Sequence, residues 1–401
     1  MRVCFVSRRF FPAISGMSVY ALNVLRELRV SGHELTMLSQ YRGDEEGTRV
    51  YGGGPPPSVE GVRVIGVEAC GEQDGGDFER DVRELADIIT AEHARAPFCV
   101  LHAQYGYPPG LAVLEAGRRL GLPSVVSVQG GDGHWVGSCC RTHRDAMRIV
   151  LDRANAVLIG SASFRDEVVE RLDADPARFT IVPGGVDVQR FTPPPDRACG
   201  DDDDVTFVYH GRVDRRKGVL DFLDAVDGLE RARVVISGIG PDLDAAAERA
   251  RRMTHVRFTG YAGYDEAPAI LRQGDVFVSP TYAEGFSNTI LEAMATGLPI
   301  VSTRSVGVVD CLRDEDNALL VEPGDVAALR SALIRLRDDD GLRDRLAATA
   351  LAEVRERYTW SRVAQHVDHV YRTVAGEPAA HDWTLPERVE GCRFRAAPHL
   401  L

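Results

Sequence analysis

The stretch VTFVYHGRVDRRKGVLDFLDAV, Val205 to Val226, decides how this chain folds. It opens on a short run, Val205, Phe207, Val208 and Tyr209, that is apolar on both faces. Such a run suits a parallel strand covered by helices on either side. Gly211 ends it, a loop carrying Arg212 and Lys217 follows, and VLDFLDAV then reads as a helix. This is one turn of a doubly wound α/β sheet. In open parallel sheets the ligand site lies at the carboxyl ends of the strands, so the cationic loop belongs to the functional edge.

The same alternation extends in both directions. After this unit, strands are expected at 232–238, 256–260, 276–280, 299–303 and 317–321. Before it they are expected at 2–7, 33–39, 62–67, 98–104, 123–129, 155–161 and 179–185. Between the first two of these, Val19, Leu22, Leu25 and Leu28 recur at helical spacing. TPPPDRACGDDDD (192–204) breaks the pattern with prolines and four consecutive aspartates, and it reads as a linker. The expected organisation is therefore an amino-terminal Rossmann-like domain over 1–190 and a linker over 191–204. A second such domain covers 205–358, and the two parallel sheets face a cleft. A helix over about 360–375 returns to the first domain, and 376–401 is an irregular tail without an assigned role.

Composition narrows the class. The 401 residues carry a formal net charge of −13, which argues against nucleic acid as a partner. No segment approaches the roughly 20 apolar residues that span a bilayer, and peripheral membrane contact has no support. MRVCFVSRRF lacks the long apolar centre of a signal peptide, so a cytoplasmic location is expected. The eight cysteines include no C-x-x-C pair, so their spacing suggests neither zinc nor redox chemistry. His102, His143, His366 and His369 have no metal-ligand companions at a useful spacing, and no metal is expected.

Among 47 basic side chains of the Lys and Arg type, Lys217 is the only lysine. Two cations at a strand's carboxyl end, beside a helix start, make an anion site, and an ammonium fits where a planar guanidinium does not. The plain alternative is an exposed loop. A second feature is EGFSNTILEAMATGLP (284–299), with Glu284 in a loop and Glu292 inside the helix that follows. Glu292 can be a capping-box partner of Thr289. A carboxylate can also grip two adjacent hydroxyls, as sugars and riboses present them, and a helix start offers unpaired N–H groups to phosphate.

These segments resemble the retaining GT-B glycosyltransferases of glycosyltransferase family 4, the glycosyl transferases group 1. The E-x7-E spacing of Glu284 and Glu292 and the continuation EAMATGLPIVST match that family's signature. Arg212 and Lys217 fall on its diphosphate-binding pair, and VVISGIGPDL, FTIVPGGVDVQRF and FFPAISGMSVYALNVLRELRVSGHEL resemble its other conserved segments. The resemblance implies transfer of a sugar from a nucleoside-diphosphate sugar, UDP first among the nucleotides, to an acceptor hydroxyl on a small molecule, lipid or glycan. It implies retention of configuration and neither cofactor nor metal. It also implies that Arg212, Lys217 and Glu284 carry catalysis. Gly16, Gly211, Phe286, Ser287, Asn288, Thr289 and Glu292 complete the donor site. On the sugar or acceptor side it points to Gln129, Asp132 and His134.

Two departures stand out. Ser15-Gly16 replaces the family's glycine pair, and Gln129 occupies a position where many members carry histidine. They motivate one alternative, a non-catalytic subunit that binds nucleotide sugars; a second alternative keeps the fold and changes the reaction, as in sugar-nucleotide epimerases.

Overall fold

The computed structural model describes residues 1–45, 53–194, 204–388 and 391–397. The chain divides into two compact units, Met1–Pro183 with Ser361–Leu401, and Gly184–Trp360. The first holds β1 (Arg2–Ser7), β2 (Glu34–Tyr41), β3 (Val62–Glu68), β4 (Val100–Gln104), β5 (Ser124–Val128), β6 (Ala156–Ile159) and β7 (Phe179–Ile181). They form one sheet in the order β3-β2-β1-β4-β5-β6-β7. The second holds β8 (Val205–His210), β9 (Ala232–Ser237), β10 (Val256–Gly260), β11 (Val276–Ser279), β12 (Ile300–Thr303) and β13 (Leu319–Val321), ordered β10-β9-β8-β11-β12-β13. Every pairing is parallel. The thirteen strands among the described residues each overlap a stretch expected from the sequence, and the doubly wound class is correct for each unit.

The reason is visible on β8 and β11. Phe207, Val276 and Val278 enter one core cluster, with Phe222, Leu223 and Leu333. Val208 and Phe277, one residue out of phase, enter the other, with Ile290, Met294 and Val354. Successive side chains on a strand point to opposite faces, so a sheet covered on both sides needs apolar residues throughout. In each sheet the strand order reverses once, between β1 and β4 and between β8 and β11. Such a reversal leaves a crevice at the strands' carboxyl ends.

The unit boundary differs from the sequence expectation. It falls at Pro183/Gly184 rather than near 190, because Val186 and Phe191 are buried in the second unit's core. The Val186 amide also donates to the Tyr358 carbonyl at 2.9 Å. The start of the expected linker belongs to the second unit as well, where Arg272 donates to Thr192. Residues 195–203 lie outside the described residues.

The helix Trp360–Val374 packs, from Ser361 onward, with the first unit. Its Tyr371 is fully buried, with its hydroxyl 2.5 Å from His102 Nδ1, and His102 Nε2 meets Ser127 at 2.8 Å. His33 pairs with Asp368 of the same helix at 2.7 Å. The tail, expected to be irregular and without a role, is largely irregular but packed. Asn155 Nδ2 donates to the Pro378 carbonyl, Trp383 is buried beneath Arg118, and Phe394 is buried. Tyr371→Ala is expected to cost about 3–5 kcal/mol in urea unfolding, and Tyr371→Phe, which loses only a hydrogen bond, about 1 kcal/mol. Equal effects of the two substitutions would contradict this packing.

Candidate functional site

The second unit's crevice is built from the loops that follow β8 and β11. The loop after β8 is fixed first by backbone. Gly211 takes φ of +154°, and its amide donates to the Ser237 carbonyl at 3.0 Å. The Val213 amide donates to the Ile239 carbonyl at 2.9 Å. A Cβ at Gly238 would collide with the Gly211 carbonyl oxygen, and one at Gly240 with that of Val213. The glycines of GIGPD therefore let two loops touch main chain to main chain.

Most of the cations here are then pinned by carboxylates. Asp242 accepts from the Arg215 amide at 2.8 Å and from its guanidinium at 2.9 and 2.6 Å. Buried Asp214 accepts from the Arg216 amide at 2.9 Å and its guanidinium at 2.6 Å, and it lies 3.5 Å from Arg212 Nε. Burial works to raise the Asp214 pKa, but Arg216 and Arg212 hold it below the ordinary carboxylate range.

Lys217 is turned instead to the loop after β11. Its Nζ lies 2.7 Å from Glu284 Oε2 and 3.4 Å from the Ala283 carbonyl. The two loops are fastened beside this contact. The Tyr282 amide donates to the Arg216 carbonyl at 3.0 Å, and its hydroxyl to Asp221 at 2.8 Å. Gly218 has φ of +70°, and a Cβ there would collide with the Pro280 carbonyl. Glu284 is held from behind by its amide, which donates to the Val306 carbonyl at 3.0 Å.

The helix Asn288–Ala295 follows at once. Its cap is Ser287, whose side chain does not close the helix start and instead meets the Thr289 hydroxyl at 3.1 Å. The capping box that Thr289 and Glu292 were able to form is therefore not present. Glu292 is buried, and burial pushes its carboxyl up to about 8, with Arg190 pulling the other way. Among the described residues no cation lies within ion-pair distance of it. Arg190 is itself held by the Tyr264 carbonyl at 2.9 Å and Asp265 at 2.5 Å, its guanidinium lying 4.3 Å from the centre of the Tyr264 ring. Phe286 packs on Tyr358 with ring centres 5.6 Å apart.

In the first unit, Gly16 opens the helix Gly16–Val30, and Ser15 caps it through the Ser18 amide. A Cβ on Gly16 would meet nothing within 4 Å, so the space above it is open. Gln129 is partly exposed and begins the helix Gly130–Trp135. Asp132 and His134 differ from the sequence expectation, because both are turned inward. Asp132 is fully buried and accepts from the amides of Gly106, Gln129 and Gly133, while burial raises its carboxyl to about 7. His134 is buried against Phe164 with Nδ1 2.9 Å from Glu167. Asp132 thus holds the Gln129 main chain, and His134 ties the same short helix to Glu167.

Two family models match successive parts of the chain: "Glycosyl transferase 4-like domain" over 15–185 and "Glycosyl transferases group 1" over 204–339. The chain belongs to the group 1 glycosyltransferases. This glycosyltransferase is 34% identical to a phosphatidyl-myo-inositol mannosyltransferase of Mycobacterium leprae, over 48% of this chain and 53% of that protein. It is 27% identical to a glycogen synthase of Mycobacterium tuberculosis, over 92% of this chain and 94% of that one. With a D-inositol 3-phosphate glycosyltransferase of Salinispora arenicola the identity is 28%, over 89% and 86%. Among solved structures, sucrose-phosphate synthase from Thermosynechococcus elongatus superposes with a TM-score of 0.76 at 19% identity, covering 93% of this chain and 98% of the other. Anabaena HepE, solved with UDP and glucose, gives 0.74 at 13% identity, covering 92% and 99%. The fold they share is GT-B. No described helix is long and apolar enough to cross a membrane.

Sequence reasoning paired Arg212 and Lys217 as equals, but the structure gives Lys217 to Glu284 and sets Arg212 against Asp214. It missed Asp214, Asp242 and Arg190, whose partners are set by the fold. The buried Glu292 makes ligand-free stability pH-dependent. Its folded pKa of about 8 lies above the ordinary 4.5, so stability is full below about 4.5 and is lost as pH rises towards 8. Glu292→Gln removes this term. The variant is expected to gain on the wild type by a few kcal/mol between pH 5 and pH 9 in urea unfolding. A constant difference across that range would show that Glu292 does not titrate abnormally.

Proposed function

We propose that this glycosyltransferase moves a sugar from a UDP-sugar to an acceptor hydroxyl with retention of anomeric configuration and without a catalytic metal. The observation that carries the reading is the 2.7 Å contact of Lys217 with Glu284 at the strand-order reversal. It presents an ammonium for a diphosphate next to a carboxylate for sugar hydroxyls. Arg212 adds a second cation, and the open start of Asn288–Ala295 adds amides at Asn288 and Thr289. Gly211 keeps the approach to Arg212 clear. Glu284, with the main chain of Phe286 and Ser287, binds donor-sugar hydroxyls. A buried carboxyl such as Glu292 needs hydrogen-bond donors, and the two hydroxyls of a ribose supply them. UDP is preferred because HepE, a structural neighbour, was solved with UDP and with UDP-glucose.

Retention fits a front-face reaction. The bond from the anomeric carbon to the diphosphate oxygen breaks as the acceptor oxygen bonds to the same face. The departing phosphate oxygen takes the acceptor's proton. Lys217, Arg212 and the helix amides stabilise the negative charge that develops on the leaving group. Gly16 and Gln129 are proposed as substrate-binding residues of the first unit, taken by itself. Gln129 cannot titrate near neutral pH but can donate and accept a hydrogen bond. The relatives named above are transferases or synthases, which favours neither the epimerase nor the non-catalytic reading.

The test is UDP release from UDP-sugars in the presence of inositol phosphate, phosphatidylinositol or maltodextrin, with product configuration read by NMR. Lys217→Ala is expected to lower kcat about a hundredfold, and Lys217→Arg to recover little of it. Glu292→Gln is expected to raise the donor KM about tenfold with kcat nearly unchanged, as loss of uniform binding does. Near-normal turnover in Lys217→Arg, or a strict requirement for Mg2+ or Mn2+, would overturn the mechanism.

A further inference from the structure

Three thiols and one imidazole meet in the first unit, at residues given no part in sugar transfer above. Cys139, Cys140, His143 and Cys392 each offer one donor atom, and these atoms all lie within 4.8 Å of one another. Cys139 Sγ is 3.1 Å from His143 Nδ1, and Cys392 Sγ is 3.5 Å from the same nitrogen. A tetrahedral zinc with Zn–S bonds of about 2.3 Å has ligand-to-ligand edges of about 3.8 Å, inside that limit. We propose that Cys139, Cys140, His143 and Cys392 form a closed, structural zinc site that fastens the carboxy-terminal segment to the first unit.

Local structure brings the donors together. Cys140 caps the helix Arg141–Arg153, and its sulfur faces the His143 amide at 3.5 Å. One helical turn therefore puts the Cys140 sulfur and the His143 ring side by side. The His143 ring is fixed by Tyr107 at 4.7 Å and Phe78 at 5.4 Å, which leaves Nδ1 facing sulfur. Cys392 is delivered by a strap with its own anchors. Thr142 Oγ1 donates to the Glu387 carbonyl at 2.7 Å, and Arg395 donates to the Gly76 carbonyl at 2.8 Å and to Glu79 at 2.5 and 2.9 Å.

The chemistry of the set favours zinc. Three thiolates and one imidazole are a recognised four-coordinate structural zinc set, with no position open for substrate. Three thiolates around Zn2+ leave one net negative charge. Arg171 interacts electrostatically with Cys139 and Arg395 with Cys140, which suits that charge. A disulfide would use only two of the three sulfurs and would give the imidazole no function.

The full chain, produced in zinc-supplemented medium and purified without chelator, is expected to carry about one zinc per chain by atomic emission. Replacement by Co2+ is expected to give the strong visible bands of tetrahedral cobalt together with thiolate charge-transfer absorption. Cys392→Ser is expected to lower the zinc content about fivefold or more and to lower the Tm, since metal binding is coupled to folding. Cys99→Ser, at an exposed cysteine outside the cluster, is expected to change neither. If Cys392→Ser fails to fold, the cobalt spectrum of the wild type decides. Zinc-free protein with Cys139, Cys140 and Cys392 all present as free thiols, cobalt without tetrahedral bands, zinc retained in Cys392→Ser, or a disulfide at Cys392 in anaerobically purified protein would each overturn the proposal. None of these readouts depends on sugar transfer.

Discussion

The contact between Lys217 and Glu284 organises the second unit's crevice. Neither group is fully buried, and such a pair is worth no more than about 1 kcal/mol. It is therefore weak enough for a ligand to separate. A ligand that separates it has to satisfy both partners, with negative charge for the amine and hydrogen-bond donors for the carboxylate. Phosphate and sugar in one molecule meet that demand together, whereas either alone strands one charge.

The precision behind this contact comes from main chain rather than side chains. At Gly218, Gly238 and Gly240 a neighbouring carbonyl occupies the volume a methyl group would need. Gly307 does the same against the Glu284 carbonyl. Each close approach is backed by hydrogen bonds between the same loops, so the crevice is shaped before any substrate arrives. Donors fixed in advance need no rearrangement as charge develops, which is where electrostatic catalysis gains most. Asp214 and Asp242 belong to the same scheme, because they hold Arg216 and Arg215 and leave Lys217 to face Glu284.

The strands were legible because burial on both faces of a sheet demands a local pattern that a short window can hold. Glu284 and Glu292 were legible for a similar reason, since a loop and the helix after it fix their spacing. What escaped depended on distance in the chain. Asp132 and His134 follow Gln129 directly, yet their orientation depends on Gly106, Phe164 and Glu167, which come from other segments. The domain boundary moved because Val186 and Phe191 find their apolar surroundings far downstream. Cys139 and Cys140 show no metal-like spacing by themselves, and Cys392 lies 249 residues beyond His143. No periodicity spans such a gap.

Ser361 onward belongs to the first unit, although the ribosome makes it after the whole of the second. Tyr371 fills the space beside His102, and Cys392 and Phe394 are buried as well. Gly184–Trp360, by contrast, is continuous. The part begun later can thus reach its finished state sooner. The part begun first waits with one wall missing, and during that wait a nascent chain exposes apolar surface to chaperones or to neighbouring chains.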